Sequence, residues 1–205
     1  MLEKLPASVG QALHHRRAGL EALLTASLDA THGPGLIKLS SPAFVDNSPI
    51  PVRFTADGEG FSPPLEWCNV PPEASSLALI VEDADSPTSE PLVHAIVVDI
   101  DPRTRALLEG EIASERADMA LGIGRNSYLR RAWLPPDPPP GHGVHRYAFQ
   151  LFALMHGEPF SSAPGRSELA RAIRERAVAS GCLTGTYERL PESGRLARRP
   201  EHINS

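Results

Sequence analysis

Leu77-Ala78-Leu79-Ile80-Val81-Glu82-Asp83-Ala84-Asp85-Ser86-Pro87 is the stretch on which the fold turns. Residues 77–81 are apolar on both alternating faces, and an acidic turn closed by proline ends the run. A strand of this kind belongs in the middle of a sheet with both faces covered. Two further runs, 93–98 and 147–155, have the same character. Shorter apolar runs at Leu36–Leu39, Val52–Thr55 and Leu65–Trp67, bounded by Pro, Gly and Asp, also read as strands, and Val93–Ile100 and Tyr147–Met155 complete the set. The expected class is mainly β, a sandwich-like arrangement with a few peripheral helices.

Helical spacing occurs in two places. Val9, Leu13, Leu20, Leu24 and Leu28 share one face of a helix expected over residues 7–30, which Gly33-Pro34-Gly35 terminates. A second helix is expected over 168–180, with Ser167 as its cap, Glu168 in its first turn and Gly181 as its stop. A short helix over 104–109 and a final strand over Leu183–Arg189 are also expected. This divides the chain into an N-terminal helical extension at 1–35, a β domain at 36–190 and a polar tail at 191–205. The extension needs something to pack on, either its own domain, a second copy or a protein partner.

Composition narrows the function. The chain has 205 residues, 41% of them hydrophobic, enough for a sizeable core. A formal net charge of -5 argues against a broad nucleic-acid surface. No apolar run approaches the roughly 20 residues that span a bilayer. His14, His15, Arg16 and Arg17 interrupt any signal-like apolar segment, and Cys68 and Cys182 form no metal motif. A reduced, cytoplasmic protein is the expectation.

Four segments carry chemistry. Asp83 and Asp85 stand two apart at the end of a strand, where side chains reach clefts. His94 lies inside the run 92–100. Gly141-His142-Gly143-Val144-His145-Arg146-Tyr147 enters a strand, so His145 and Tyr147 share one face and Arg146 the other, where an ion pair is expected. The loop Gly124-Arg125-Asn126-Ser127-Tyr128 runs through Trp133 to the prolines at 135–140. The residues Asp83, Asp85, His94 and His145 could ligate a metal, and a His/Asp pair could serve a hydrolase as general base. Against an enzyme, there is no Gly-x-Ser-x-Gly elbow and no reactive cysteine motif.

Taken with Ser62-Pro63-Pro64-Leu65-Glu66-Trp67, these segments resemble the phosphatidylethanolamine-binding protein family in its bacterial Raf-kinase-inhibitor-like branch, over about residues 36–190. The resemblance implies a non-enzymatic binding protein, without cofactor or metal. Its small pocket would take phosphate-type anions, whether phospholipid headgroups or phosphorylated groups, and regulation of a protein partner is a further implied role. It places Asp83, Asp85, Pro87, His94, His145 and Tyr147 at the ligand, and Trp133, Pro140, Gly141 and Tyr187 at the rim. It also implies a cis peptide at Ser86–Pro87. The chain departs from relatives at Ala95, at Asp99, and at Pro135, Pro136 and Asp137, where glycine amides would face an anion; proline has no N–H to offer.

Overall fold

The computed structural model describes residues 6–27, 35–112 and 122–190. Its spine is a seven-stranded sheet. In chain order its members are β1 (Gly35–Leu36), β3 (Ser48–Pro49), β5 (Ser76–Asp83), β6 (Leu92–Ile100), β8 (Gly122–Ile123), β9 (His145–Leu154) and β10 (Ala177–Tyr187). Across the sheet the order is β1-β10-β9-β5-β6-β8, with β3 also on β10. A second sheet of three strands joins β2 (Lys38–Ser40), β4 (Leu65–Cys68) and β7 (Ala106–Leu107) in the order β2-β4-β7. The runs expected to be central are central: β9, β5 and β6 pair antiparallel in the middle of the large sheet.

The two apolar faces of these strands serve two cores. Leu77, Leu79, Val81, Phe149 and Leu151 face the small sheet and pack with Leu39, Leu65, Trp67 and Leu107. The alternate residues Ala78, Ile80, Ile96, Phe152 and Leu154 face the other way, onto Leu169 and Ile173. Those two residues belong to helix α2 (Arg166–Arg176). The large sheet is thus covered on both sides, as its unbroken Val-Ile-Leu-Phe content requires.

Several local expectations are corrected. The helix expected over 7–30 is not continuous: α1 spans Ala7–Leu13, and single 3-10 turns follow at Leu20–Ala22 and Leu24–Ser27. Gly19 interrupts it with φ 95°, and its N–H and that of Ala18 bond the carbonyls of Ala84 and Ser86. Tertiary hydrogen bonds replace helical ones there. Leu23 and Leu24 bury themselves on their own domain, while Leu28 and the break at 33–35 fall largely outside the described residues. Val52–Phe54 is a 3-10 turn rather than a strand, entered through Pro51, and Ala106–Leu107 is a short strand rather than a helix because it completes the edge beside β4.

Helix α2 starts from Gly165, not Ser167, and ends at Arg176. Gly181 sits within β10, where a Cβ would strike the Ile37 carbonyl oxygen; close approach of the edge chain, not helix termination, explains it. The last strand accordingly begins at Ala177. The peptide Ser86–Pro87 is trans. The Ser86 hydroxyl, bonding the Asp83 carbonyl and the Thr88 hydroxyl, closes that turn without a cis bond. The tail at 191–205 lies outside the described residues.

Candidate functional site

The site gathers at one end of β5, β6 and β9. Asp83 ends β5 and pairs in register with Tyr147, two residues into β9. On β9, His145 and Tyr147 point to the same side as Phe149, as alternation requires. His94 does not obey alternation. Val81 pairs with Ala95 and Glu82 with Val93, which leaves His94 as the extra residue of a β-bulge. Strict alternation would place it with Ile96 and Val98 against α2. The bulge re-aims it toward the small-sheet side, where its ring meets Tyr147 edge-on at 5.1 Å and Trp133 at 6.1 Å.

Each ring nitrogen is accounted for. His94 Nδ1 lies 2.6 Å from the Leu134 carbonyl, and the Leu134 N–H returns a bond of 2.8 Å to the His94 carbonyl. A carbonyl only accepts, so His94 carries its hydrogen on Nδ1 and presents a lone pair at Nε2. Burial pushes the His94 pKa below its usual value, so the ring is neutral at pH 7. His94 Nε2 and the Tyr147 hydroxyl are buried and have no hydrogen-bond partner among the described residues. Burial also drives the Tyr147 pKa well up, so the phenol stays protonated. His145 Nδ1 sits 2.7 Å from Asp83 Oδ2, and Asp83 Oδ1 accepts the Asp85 N–H at 2.9 Å.

A cavity of about 510 Å³ opens over these groups. Asp83, Pro87, His94 and His145 line it, together with Ser86, Leu92, Tyr128, Arg130 and much of the loop 134–139. Other expected residues stand elsewhere. Asp85 turns away and accepts Arg146 Nε and Nη2, both at 2.7 Å, the Arg146 N–H at 2.9 Å, and Arg17 Nη1 at 2.7 Å. Burial alone would raise its pKa, but these bonds outweigh it and hold the carboxyl at about 2. Arg146 therefore makes the ion pair expected of it.

Tyr147 is wholly buried behind the histidines. Trp133 belongs to the core, stacked on Phe149 at 6.2 Å. Pro140 abuts Gly10, and Gly141 donates to the Arg189 carbonyl. The Tyr187 hydroxyl is tied to Asp57 Oδ2 at 2.5 Å, so it braces the wall rather than swinging over it. The four proposed metal ligands do not converge, because Asp85 serves two arginines and His145 spends both nitrogens.

Arg130 and Arg189 escaped sequence reading, and Tyr128 was placed only within its loop. Arg130 and Tyr128 form the mouth, placed there by Asn126, whose Oδ1 accepts the N–H of both residues. Arg189 compensates Asp137: its Nη1 donates to Asp137 Oδ1 at 2.6 Å and to the Pro138 carbonyl at 2.9 Å, while its Nε bonds Asp57. The Asp137 carboxylate is thus held by a buried guanidinium.

Comparison with known proteins follows the same lines. The family model described as phosphatidylethanolamine-binding protein matches residues 40–188. The chain belongs to the phosphatidylethanolamine-binding protein family. Within this family it is 36% identical over 167 residues to the UPF0098 protein Rv1910c of Mycobacterium tuberculosis, covering 82% of this chain and 78% of the relative. It is 35% identical over 153 residues to a UPF0098 protein of Methanothermobacter thermautotrophicus, covering 75% of this chain and 99% of that one.

Among solved structures, the phosphatidylethanolamine-binding protein homolog CT736 of Chlamydia trachomatis aligns with a TM-score of 0.68 at 34% identity, covering 76% of this chain and 99% of that one. Escherichia coli YbcL shares the fold at 24% identity, with a TM-score of 0.67 and coverage of 74% and 98%. Family membership supports a binding protein in general. Among the described residues, no helix is long and apolar enough to cross a membrane.

Proposed function

We propose that the cavity between β5, β6, β9 and the loop 134–139 binds a phosphate-type anion, either a phospholipid headgroup or a free phosphorylated group. The observation that carries this reading is His94 Nε2, buried and unpartnered among the described residues on a ring that lines the cavity, with the unpartnered Tyr147 hydroxyl buried behind it. Buried polar groups are ordinarily hydrogen-bonded, and an orphaned lone pair on a cavity residue fits a ligand that supplies its partner. A phosphate oxygen accepts from the tyrosine O–H. His94 presents a lone pair, so it pairs with an anion by taking up a proton. Arg130 adds a permanent cation at the mouth.

The fixed carboxylates do not oppose this. Asp83 is paired with His145, and Asp137 with Arg189. His145, hydrogen-bonded at both nitrogens, has no free lone pair to serve the hydrolase alternative as general base.

The test is calorimetric titration with glycerophosphoethanolamine, whose phosphodiester keeps one charge from pH 5 to 8, and in parallel with inorganic phosphate. Since His94 titrates below about 6.5 in the free protein, diester affinity rises as the pH falls through that range, with proton uptake on binding. Flat affinity across the range contradicts the His94 model. Binding of inorganic phosphate alone assigns the site to free phosphorylated groups rather than headgroups.

A further inference from the structure

Beneath the cavity, four groups stand in line. The Leu13 carbonyl lies 2.9 Å from His142 Nε2, His142 Nδ1 lies 2.7 Å from His145 Nε2, and His145 Nδ1 lies 2.7 Å from Asp83 Oδ2. Counting hydrogens settles what this line contains. The carbonyl only accepts, so His142 Nε2 carries one hydrogen. The bond between the rings needs a second, and the bond to Asp83 a third. Two neutral imidazoles and a carboxylate supply only two, so a line with all three bonds made stores one extra proton. Burial, the neighbouring His145 and the Arg17 guanidinium all push the His142 pKa down. With all three bonds made, His142 is the neutral acceptor and the extra proton is shared by His145 and Asp83.

The outer end of the line comes from the N-terminal segment. Residues 6–27 lie outside the stretch 40–188 that the family model matches. The segment lies on the face of the large sheet opposite the cavity: Leu24 N–H bonds Glu82, and Thr25 bonds Gln150. Its first turn reaches round to the loop carrying His142. Arg17 donates to the carbonyls of His142 and Val144. Gly10 packs so closely that a Cβ would strike the Pro140 carbonyl oxygen and lie 2.9 Å from the His142 nitrogen.

We propose that His142, capped by the Leu13 carbonyl, is a positioning residue that keeps His145 charged against Asp83, so that the N-terminal segment sets the anion affinity of the cavity. The second half rests on the anion-binding reading; the first does not. The other titratable groups near the line include His94, Tyr147 and Asp137 on the cavity side, and Arg17 and Arg146 on the other.

Long-range proton–nitrogen NMR of the ligand-free full chain reads the rings directly. At pH 7 the wild type is expected to show His142 as the Nε2–H tautomer and His145 with hydrogens on both nitrogens. A neutral, singly protonated His145 facing an ionised Asp83 overturns the proposal. His142→Leu removes the acceptor and is expected to leave His145 at pH 7 with a hydrogen on Nδ1 alone. His142→Asn, whose Oδ1 can stand where Nδ1 stood, is expected to restore the second hydrogen. Gly10→Val forces the segment off the loop while leaving every cavity residue in place, and is expected to release the His142 tautomer. Ring signals in Gly10→Val identical to wild type overturn the role of the segment.

Titration with glycerophosphoethanolamine then reads the consequence: about tenfold weaker binding in His142→Leu and Gly10→Val than in wild type and His142→Asn, the scale of one nearby charge lost from a partly screened site. Equal affinity in all four overturns the coupling. Failure of the wild type to bind either phosphate probe refutes the anion reading alone, because the ring signals still judge the line of hydrogen bonds.

Discussion

Replacing Asp85 with Asn tests whether this carboxylate is structural. Its side chain is fully buried, and four bonds of 2.7 to 2.9 Å reach it from Arg146 and Arg17. Asparagine keeps one acceptor oxygen but turns an N–H₂ group on two guanidinium ions and removes the charge they share. Breaking a buried ion pair from one side costs about 3 kcal/mol or more. The titration gives an independent scale. The carboxyl is held at about 2 against an ordinary 3.8, and at 1.36 kcal/mol per pH unit this corresponds to about 2 kcal/mol.

The sign follows from linkage. A depressed carboxyl stabilises the fold above its unfolded pKa, and the contribution disappears as the pH falls through the folded one. Urea unfolding at a series of pH values is the assay. Asp85→Asn should be less stable than wild type by about 3 kcal/mol at pH 7, and the gap should narrow by about 2 kcal/mol between pH 4 and pH 2. A gap under about 1 kcal/mol at pH 7, the level of an exposed pair, or a gap that ignores pH, refutes the reasoning.

Two further substitutions separate stability from binding. Tyr147→Phe removes a buried hydroxyl that has no partner among the described residues. It should raise unfolding stability by about 1 kcal/mol while weakening glycerophosphoethanolamine binding; lower stability with intact binding would show that the hydroxyl is satisfied within the protein. Arg189→Met strips the guanidinium from Asp57 and Asp137. It should cost about 3 kcal/mol in urea and weaken anion binding by taking the buried guanidinium from the Asp137 carboxylate on the cavity wall; unchanged binding would separate Asp137 from the site.

The central sheet was legible because β5, β6 and β9 are apolar on both faces, and only a covered central strand tolerates that. Asp83, Pro87, His94 and His145 were legible as an ordered set of motifs, and the structure brings them to one cavity. Asp85 was not separable from Asp83 in sequence: both look like strand-end carboxylates, and only the register of β5 against β9 decides which meets Arg146. His94 was found by motif and would have been misplaced by period, because the bulge at Val93–Ala95 is a tertiary feature of the pairing with β5.

The N-terminal helix failed for a related reason. Its apolar spacing was real, but Gly19 and the open edge of the 84–86 turn offered better hydrogen bonds than a continued helix. The compensation of Asp137 by Arg189 spans 52 residues and leaves no local trace. His142 stands between two glycines. Gly141 and Gly143 do take positive φ, at 76° and 94°, but they shape the loop that meets the N-terminal segment.

The most direct test of the anion pocket is the nitrogen signal of His94 Nε2 as glycerophosphoethanolamine is added at pH 7. The account predicts an unprotonated Nε2 in the free protein that gains a proton as the phosphodiester saturates the site, with the Tyr147 hydroxyl proton shifting in step. A phosphodiester that binds while His94 Nε2 stays unprotonated and unshifted would contradict it.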